Sequence, residues 1–233
     1  MTAVDTSESP PHQVDLYPVL PAILTRNTAA LGALEKPLGD LLAAPQVTAL
    51  RYCFSAPPYP PALDALLSLA QSHDVAVIAA PHGEDLQTLT RLINALPLEK
   101  IDGIHLETLA AFKALPPRKS GKNAFQIGCS CSSLDEAMRA GEAGADYVSF
   151  PAAETTLFQQ WALMTELPSV AELLQDISPA SLQPGSETEK AVAAAQAGAD
   201  FIAFPVGDSP AAWPENERLF QALLATFTPL PEK

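Results

Sequence analysis

The sequence predicts an α/β fold, a single (β/α)8 TIM barrel, and three observations carry the prediction. Short apolar runs alternate strictly with longer segments of helical period, eight of each. The runs are apolar at odd and even positions alike, as in strands buried on both faces of a parallel sheet. The length, 233 residues, lies near the ~250 that such a barrel occupies. Strict alternation implies parallel strands joined by crossover helices. Eight repeats favour a closed barrel over an open sheet.

Residues 1–14 are polar and contain Pro10-Pro11. They are expected to form a disordered N-terminal tail ahead of a barrel spanning 15–233. The expected strands are Leu16–Leu20, Val47–Phe54, Val75–Ala80, Ile101–Leu106, Phe125–Cys131, Tyr147–Phe150, Ser169–Leu173 and Phe201–Phe204. Between and after them lie helices at Ala30–Ala43, Pro61–Ser72, Glu84–Ala95, Thr108–Leu115, Ser133–Ala143, Leu157–Glu166, Glu187–Ala197 and Glu215–Phe227. The second helix follows the proline-rich Ala56–Pro61, whose last prolines suit a first helical turn. In the third, leucines recur at Leu86, Leu89 and Leu92, one apolar stripe. In the fifth, Leu134, Ala137, Met138 and Ala140-Gly141 form a similar stripe, and Ser133 with Glu136 makes a capping box. Phe158, Trp161 and Leu163 are expected to pack the sixth helix on the barrel.

An internal repeat supports the architecture. Ala143 to Pro151 parallels Ala197 to Pro205, and residues 98–105 form a weaker copy. In both strong copies a helix ends, a glycine (Gly144 or Gly198) suits a left-handed turn, and an aspartate precedes the strand.

Composition excludes several functions. Thirteen Lys+Arg against 27 Asp+Glu give a net charge of −14. A nucleic-acid binder needs a basic footprint, and the densest basic group is the short Arg118-Lys119…Lys122. Anionic membranes are disfavoured likewise. Three cysteines make no disulfide scaffold and fit a reducing cytoplasm. The first residues have neither a basic start nor an apolar stretch, so no signal peptide is expected there. The chain holds 23 Pro and only 11 Gly, an unpromising supply for backbone loops that cradle phosphates.

Asp102-Gly103-Ile104-His105-Leu106, then Ile127-Gly128-Cys129-Ser130-Cys131, then Glu142 to Phe150 resemble the thiamine-phosphate synthase/TenI family. Its pattern there is D-G-V-H-L-G-Q, G-[VT]-[ST]-[CTV]-H and E-A-G-A-D-Y-V. The likeness runs from about residue 15 to 227. It implies a (β/α)8 barrel with its site at the C-terminal strand ends. It also implies a reaction joining a pyrimidine methyl diphosphate to a thiazole phosphate, with Mg²⁺, or a related thiazole tautomerisation.

The groups that such a reaction needs are largely replaced. The Arg of the family's Q-x-R-x-K is Arg51, but the Lys position is Cys53. The metal-binding Asp positions are Pro81 and Ala110. The P-T-x-T-K motif keeps only hydroxyls, at Thr155 and Thr156. The glycines after the seventh strand are absent from Ala171 to Asp176, and Pro205 to Ser209 replace a phosphate-binding serine loop. Three expectations follow. In the first, the chain does not perform the synthase reaction and binds a small thiamine-related ligand, acting as regulator or assembly partner. In the second, it is a working synthase, with Mg²⁺, whose site is rebuilt from Arg51, Glu107, Ser130, Thr155 and Thr156; these five and His105 are the candidate ligand-binding residues. In the third, Cys53, His82, His105, Cys129 and Cys131 form a metal-binding or redox site. Arg51 has two readings, an anion contact in the mouth or one half of an ion pair. The cysteines have two as well, ligands or apolar filling. Ser130, Thr155 and Thr156 either bind a polar ligand or serve turns and caps.

Overall fold

A computed structural model describes residues 13–26, 28–115, 125–173, 184–207 and 209–227. Residues 1–12 of the expected tail, the basic Arg118–Lys122 segment, residues 174–183 and Asp208 fall outside these residues; Gln13 and Val14, also expected in the tail, are described, and Val14 is buried in the core. The described strands are β1 (Asp15–Leu20), β2 (Ala49–Phe54), β3 (Ala76–Pro81), β4 (Gly103–Leu106), β5 (Gln126–Ser130), β6 (Tyr147–Pro151), β7 (Ser169–Glu172) and β8 (Phe201–Pro205). All neighbours are parallel and the order closes from β8 back onto β1. The helices are α1 (Thr28–Leu42), α2 (Pro60–Ser72), α3 (Leu86–Asn94), α4 (Leu109–Lys113), α5 (Leu134–Glu142), α6 (Thr155–Met164), α7 (Pro184–Gln196) and α8 (Trp213–Phe227). A 3-10 turn at Ala22–Thr25, which the sequence reading lacks, follows β1. None of the described helices is long and apolar enough to cross a membrane.

Strand alternation splits the interior into two cores. One side of each strand packs under the helices, and there Tyr52, Phe54, Phe150 and Phe204 are fully buried. The other side fills the barrel with Tyr17, Val19, Ile78, Tyr147, Val170 and Ala203. Burying that much apolar surface twice is what stabilises the closed sheet.

Side-chain caps start the helices. Asp85, Thr108 and Ser133 accept N–H bonds from Thr88, Ala111 and Glu136. The expected capping box is shifted by one residue, because Glu136 reaches back to the Ser132 N–H at 2.8 Å. Three stripe residues turn outward: Leu86 is 49% exposed, Met138 42% and Leu163 88%. Leu86 is the first residue of α3, and its core face is carried instead by Leu89, Leu92 and Ile93. In α6 the contact with the barrel is made by Phe158 and Trp161.

The repeat has a structural job. Gly144 and Gly198 take φ of 94° and 106°, where a Cβ would be strained. The aspartate beyond each then bonds the preceding strand. Asp146 accepts the Ile127 N–H at 2.7 Å and Asp200 accepts the Ser169 N–H at 2.8 Å. The weaker copy does the same, Asp102 accepting from Val77 at 2.7 Å. Carboxylates at the starts of β4, β6 and β8 thereby tie each to the strand before it.

Candidate active site at the barrel mouth

The inward register of β2 carries Ala49, Arg51 and Cys53, packed on the barrel core through Ala49 and Cys53. Arg51 lies within the barrel, 3% exposed. It donates to both carboxylate oxygens of Glu172, on β7 across the barrel, at 2.9 and 2.5 Å. Its guanidinium also sits 5.3 Å from the centroid of the Tyr17 ring. Burial works against the Arg51 charge, but the adjacent Glu172 carboxylate outweighs it and holds the pKa above the ordinary value. Of the two readings for Arg51, the ion pair is the one observed.

A second polar chain crosses the barrel beside this pair. Tyr17 Oη and Tyr147 Oη are 3.2 Å apart, and Tyr147 Oη is 3.1 Å from His105 Nδ1. His105 Nε2 meets Ser130 Oγ at 2.9 Å, and Ser130 Oγ meets Ser149 Oγ at 3.0 Å. The His105 and Tyr147 rings stack with centroids 5.7 Å apart. Burial, reinforced by the Arg51 charge, holds the His105 pKa well below its usual value and so disfavours the imidazolium form. This arrangement depends on Gly128: a Cβ there would lie 2.0 Å from Tyr147 Cζ. Ser130 is therefore part of an interior network, not of a turn or helix cap.

At the rim, His82 and Glu107 follow β3 and β4. His82 Nδ1 is 2.8 Å from Glu107 Oε1. The neighbouring Cys53 first, and then Glu107, raise the His82 pKa to about 10. The same His82 contact lowers the pKa of Glu107. Thr155 and Thr156 open α6, Thr155 half-buried and Thr156 exposed, with no contact to the Arg51 or His105 groups among the hydrogen bonds described.

The expected five-residue Cys/His cluster does not assemble. Cys129 and Cys131 share a face, as their spacing predicts, but it is the face under the helices. Both are buried there, with Sγ donating to the Ser130 and Cys129 carbonyls. Contact with the Cys129 thiol, together with burial, pushes the Cys131 thiol pKa up. Cys53, His82 and His105 lie on the barrel side, so the sheet separates the two sets. No three His, Cys, Asp or Glu side chains among the described residues converge on a point that could hold a metal ion. The rim carboxylates Glu107 and Glu172 are each committed to a cation, and Pro81 and Ala110 offer no ligand. These donors do not fit the Mg²⁺ that the family pattern implies.

Glu172, Tyr17, Tyr147 and Ser149 did not stand out in the sequence. Glu172 carried one signal, a carboxylate at inward parity two residues beyond Val170 in an otherwise apolar strand. Tyr147 lay inside the repeat, where it read as strand filler.

Residues 84–205 match the thiamine monophosphate synthase (TMP-TENI) family. The chain is 33% identical over 170 residues to the thiamine-phosphate synthase of Erythrobacter litoralis (strain HTCC2594), covering 66% of this chain and 68% of that protein. It is 31% identical over 177 residues to the thiamine-phosphate synthase of Hyphomonas neptunium (strain ATCC 15444), covering 70% and 71%. Among solved structures, the thiamine phosphate pyrophosphorylase of Pyrococcus furiosus superposes with a TM-score of 0.55 at 17% identity, over 93% of this chain and 98% of that one. An orotidine 5'-monophosphate decarboxylase from Metallosphaera sedula also reaches 0.55, at 12% identity, over 92% of this chain and 98% of that one. At such identities the structural matches speak for the barrel and not for its chemistry. The family match and the two relatives in sequence are of a different weight, and by them the chain belongs to the thiamine-phosphate synthase/TenI family.

Proposed function

We propose that this barrel binds a small thiamine-related heteroaromatic ligand at its C-terminal mouth and does not perform the synthase reaction. The observation that carries the reading is the Arg51–Glu172 pair. Ionising a diphosphate requires free cations aimed at the departing charge. Arg51 spends both terminal nitrogens on a carboxylate of its own chain. The family's lysine and metal-carboxylate positions, now Cys53, Pro81 and Ala110, add no charge that would help. Ser130, the half-buried end of the His105 network at the mouth, suits an uncharged, hydrogen-bonding heterocycle better than a phosphate.

Calorimetric titration tests the preference. Hydroxymethylpyrimidine, the thiazole alcohol and thiamine are compared with their phosphates, with and without Mg²⁺. An unphosphorylated compound should bind at least as tightly as its phosphate, without Mg²⁺ dependence. Tighter, Mg²⁺-dependent binding of the phosphates would overturn the reading. A second reading, a working transferase with a rebuilt site, is favoured by the two relatives, both thiamine-phosphate synthases by name. It requires Glu172 to release Arg51 when substrate arrives.

A further inference from the structure

We propose that the N-terminal end of the barrel, opposite the mouth, holds a second binding site, whose ligand is a single aromatic ring carrying a short ammonium tail. The proposal goes beyond the binding reading above and does not depend on it.

The site is a hollow of about 120 Å³ inside the sheet. Its residues stand at strand starts: Ala49 opens β2, Gln126 opens β5, Tyr147 opens β6 and Phe201 opens β8. Arg51 and Glu172 of the mouth lie two residues beyond Ala49 and Val170 on the same strands, so the two sites occupy opposite ends. The inner wall is Tyr17, Ile78, Tyr147 and Val170, none more than 7% exposed. At the rim Gln126 is exposed, and Asp146 and Phe201 are half-buried. The hollow therefore opens to solvent.

The sequence explains why space is left. Bulky side chains normally fill the inside of such a barrel in layers. Here Ala49 supplies only a methyl, and Gly103 and Gly128 supply nothing. Ile78 and Tyr147 lie over those two glycines, whose added Cβ atoms would meet them at 2.8 and 2.0 Å. Tyr17 meets Phe201 and Tyr147 edge-on, with centroids 6.4 and 6.5 Å apart. The three rings wall the hollow without closing it.

Two observations select the ligand. The lining is almost wholly apolar, and an apolar cavity of about 150 Å³ accepts benzene. A slightly smaller hollow with one open side fits one ring, with a substituent at the rim. The second observation is charge. Asp146 lines the rim, and Asp15, Asp102 and Asp200 stand at the same end, at the starts of β1, β4 and β8. Asp102, Asp146 and Asp200 each accept a backbone N–H, which leaves their negative charge in place. Lys100, just before β4, is paired with Asp64 at 2.9 Å. Arg51, on the mouth side of Tyr17, is paired with Glu172. A tail at the rim thus meets a negative potential, which attracts an ammonium and repels a carboxylate.

The full-length chain, with isotope-labelled Ile, Leu and Val methyl groups, is titrated by NMR at neutral pH and low salt with benzylamine, benzyl alcohol and benzoate. Benzylamine should bind with a Kd at or below about 1 mM, a modest demand on eight non-hydrogen atoms. Benzyl alcohol should bind more weakly, and benzoate at least ~10-fold more weakly than the amine. The Ile78 and Val170 methyls should shift, and those of Val206, beyond β8 at the mouth, should not. Ala49→Leu fills the hollow and should weaken benzylamine at least ~10-fold without lowering Tm. Asp146→Asn should bring benzylamine to the affinity of benzyl alcohol. Circular dichroism establishes that each variant is folded. No methyl shift at millimolar benzylamine, benzoate or benzyl alcohol binding as tightly as the amine, shifts centred on the mouth, or undiminished binding in folded Ala49→Leu would each overturn the proposal. No thiamine-related compound is used, so the outcome is separate from that of the calorimetric titrations.

Discussion

Replacing Glu172 by Gln keeps the side-chain shape and deletes one charge of the pair inside the barrel. The Arg51 side chain is 4% exposed and that of Glu172 12%, so little water remains to solvate the stranded guanidinium. Two bonds at 2.9 and 2.5 Å lose their charge assistance. Arg51 Nε is already buried without a hydrogen-bond partner among the described residues. At about 4 Å and an effective dielectric of 20, an ion pair is worth roughly 4 kcal/mol. Measured losses on breaking buried pairs are about 3–5 kcal/mol. For a chain of this size that is a fall in Tm of roughly 6–20 °C. Urea unfolding of wild type, Glu172→Gln, Arg51→Met and the double variant Arg51→Met/Glu172→Leu forms the assay. Either single change should cost about 3–5 kcal/mol, while the double variant should lie within about 1 kcal/mol of wild type or above it. A Glu172→Gln loss below about 1 kcal/mol would refute the argument, because it would mean that solvent or another group satisfies Arg51.

Gly128→Ala places a methyl 2.0 Å from the Tyr147 ring. It should destabilise by about 1–3 kcal/mol or more, and the loss should largely vanish when Tyr147 is also replaced by Ala. An additive pair of losses would exclude the clash. Asp146→Ala removes the acceptor for the Ile127 N–H at 2.7 Å; unfolding free energy should drop by about 1.5–3 kcal/mol, with faster amide exchange at Ile127, and an unchanged exchange rate would contradict the role. The His82–Glu107 pair should give a pH signature. Raised to about 10 from 6.5, His82 contributes stability that is fully present below pH 6.5 and is lost as pH climbs through 10. Glu107, lowered from 4.5, contributes above that value and loses its share as pH falls. With side chains 39% and 53% exposed, the pair is worth less than about 1 kcal/mol. Glu107→Gln should flatten the fall in Tm above pH 6.5, and an NMR midpoint for His82 near 6.5 in wild type would refute the pairing.

The barrel was legible because its signals are local and repeated. Apolar runs without alternation, Ser133 at a helix start, and Gly144 and Gly198 before their aspartates each specify backbone geometry within a few residues. The stripe residues that failed, Leu86, Met138 and Leu163, lie on short or terminal helical turns, where spacing alone does not say which side meets the barrel. The mouth was legible as a set of replacements, since Cys53, Pro81 and Ala110 sit at strand ends where the resemblance places charged groups. Its actual wiring was not. Arg51 and Glu172 are 121 positions apart, and nothing in either neighbourhood names the other. Cys129 and Cys131 show the converse: period two places them together, but which side of the sheet that is depends on the register of the whole barrel. His82 and Glu107 were each noticed, one as a metal ligand and one as a substitute carboxylate. Their union depends on β3 and β4 ending side by side.

The most direct test of the central claim is thiamine phosphate formation from hydroxymethylpyrimidine diphosphate and thiazole phosphate. Purified protein is used at high concentration with Mg²⁺, and product is read by chromatography after coupled pyrophosphate detection. Folded protein should give no product above the uncatalysed background, and Arg51→Ala should change nothing. Mg²⁺-dependent turnover that Arg51→Ala abolishes would contradict the account, since it would require Arg51 to leave Glu172 and meet the diphosphate.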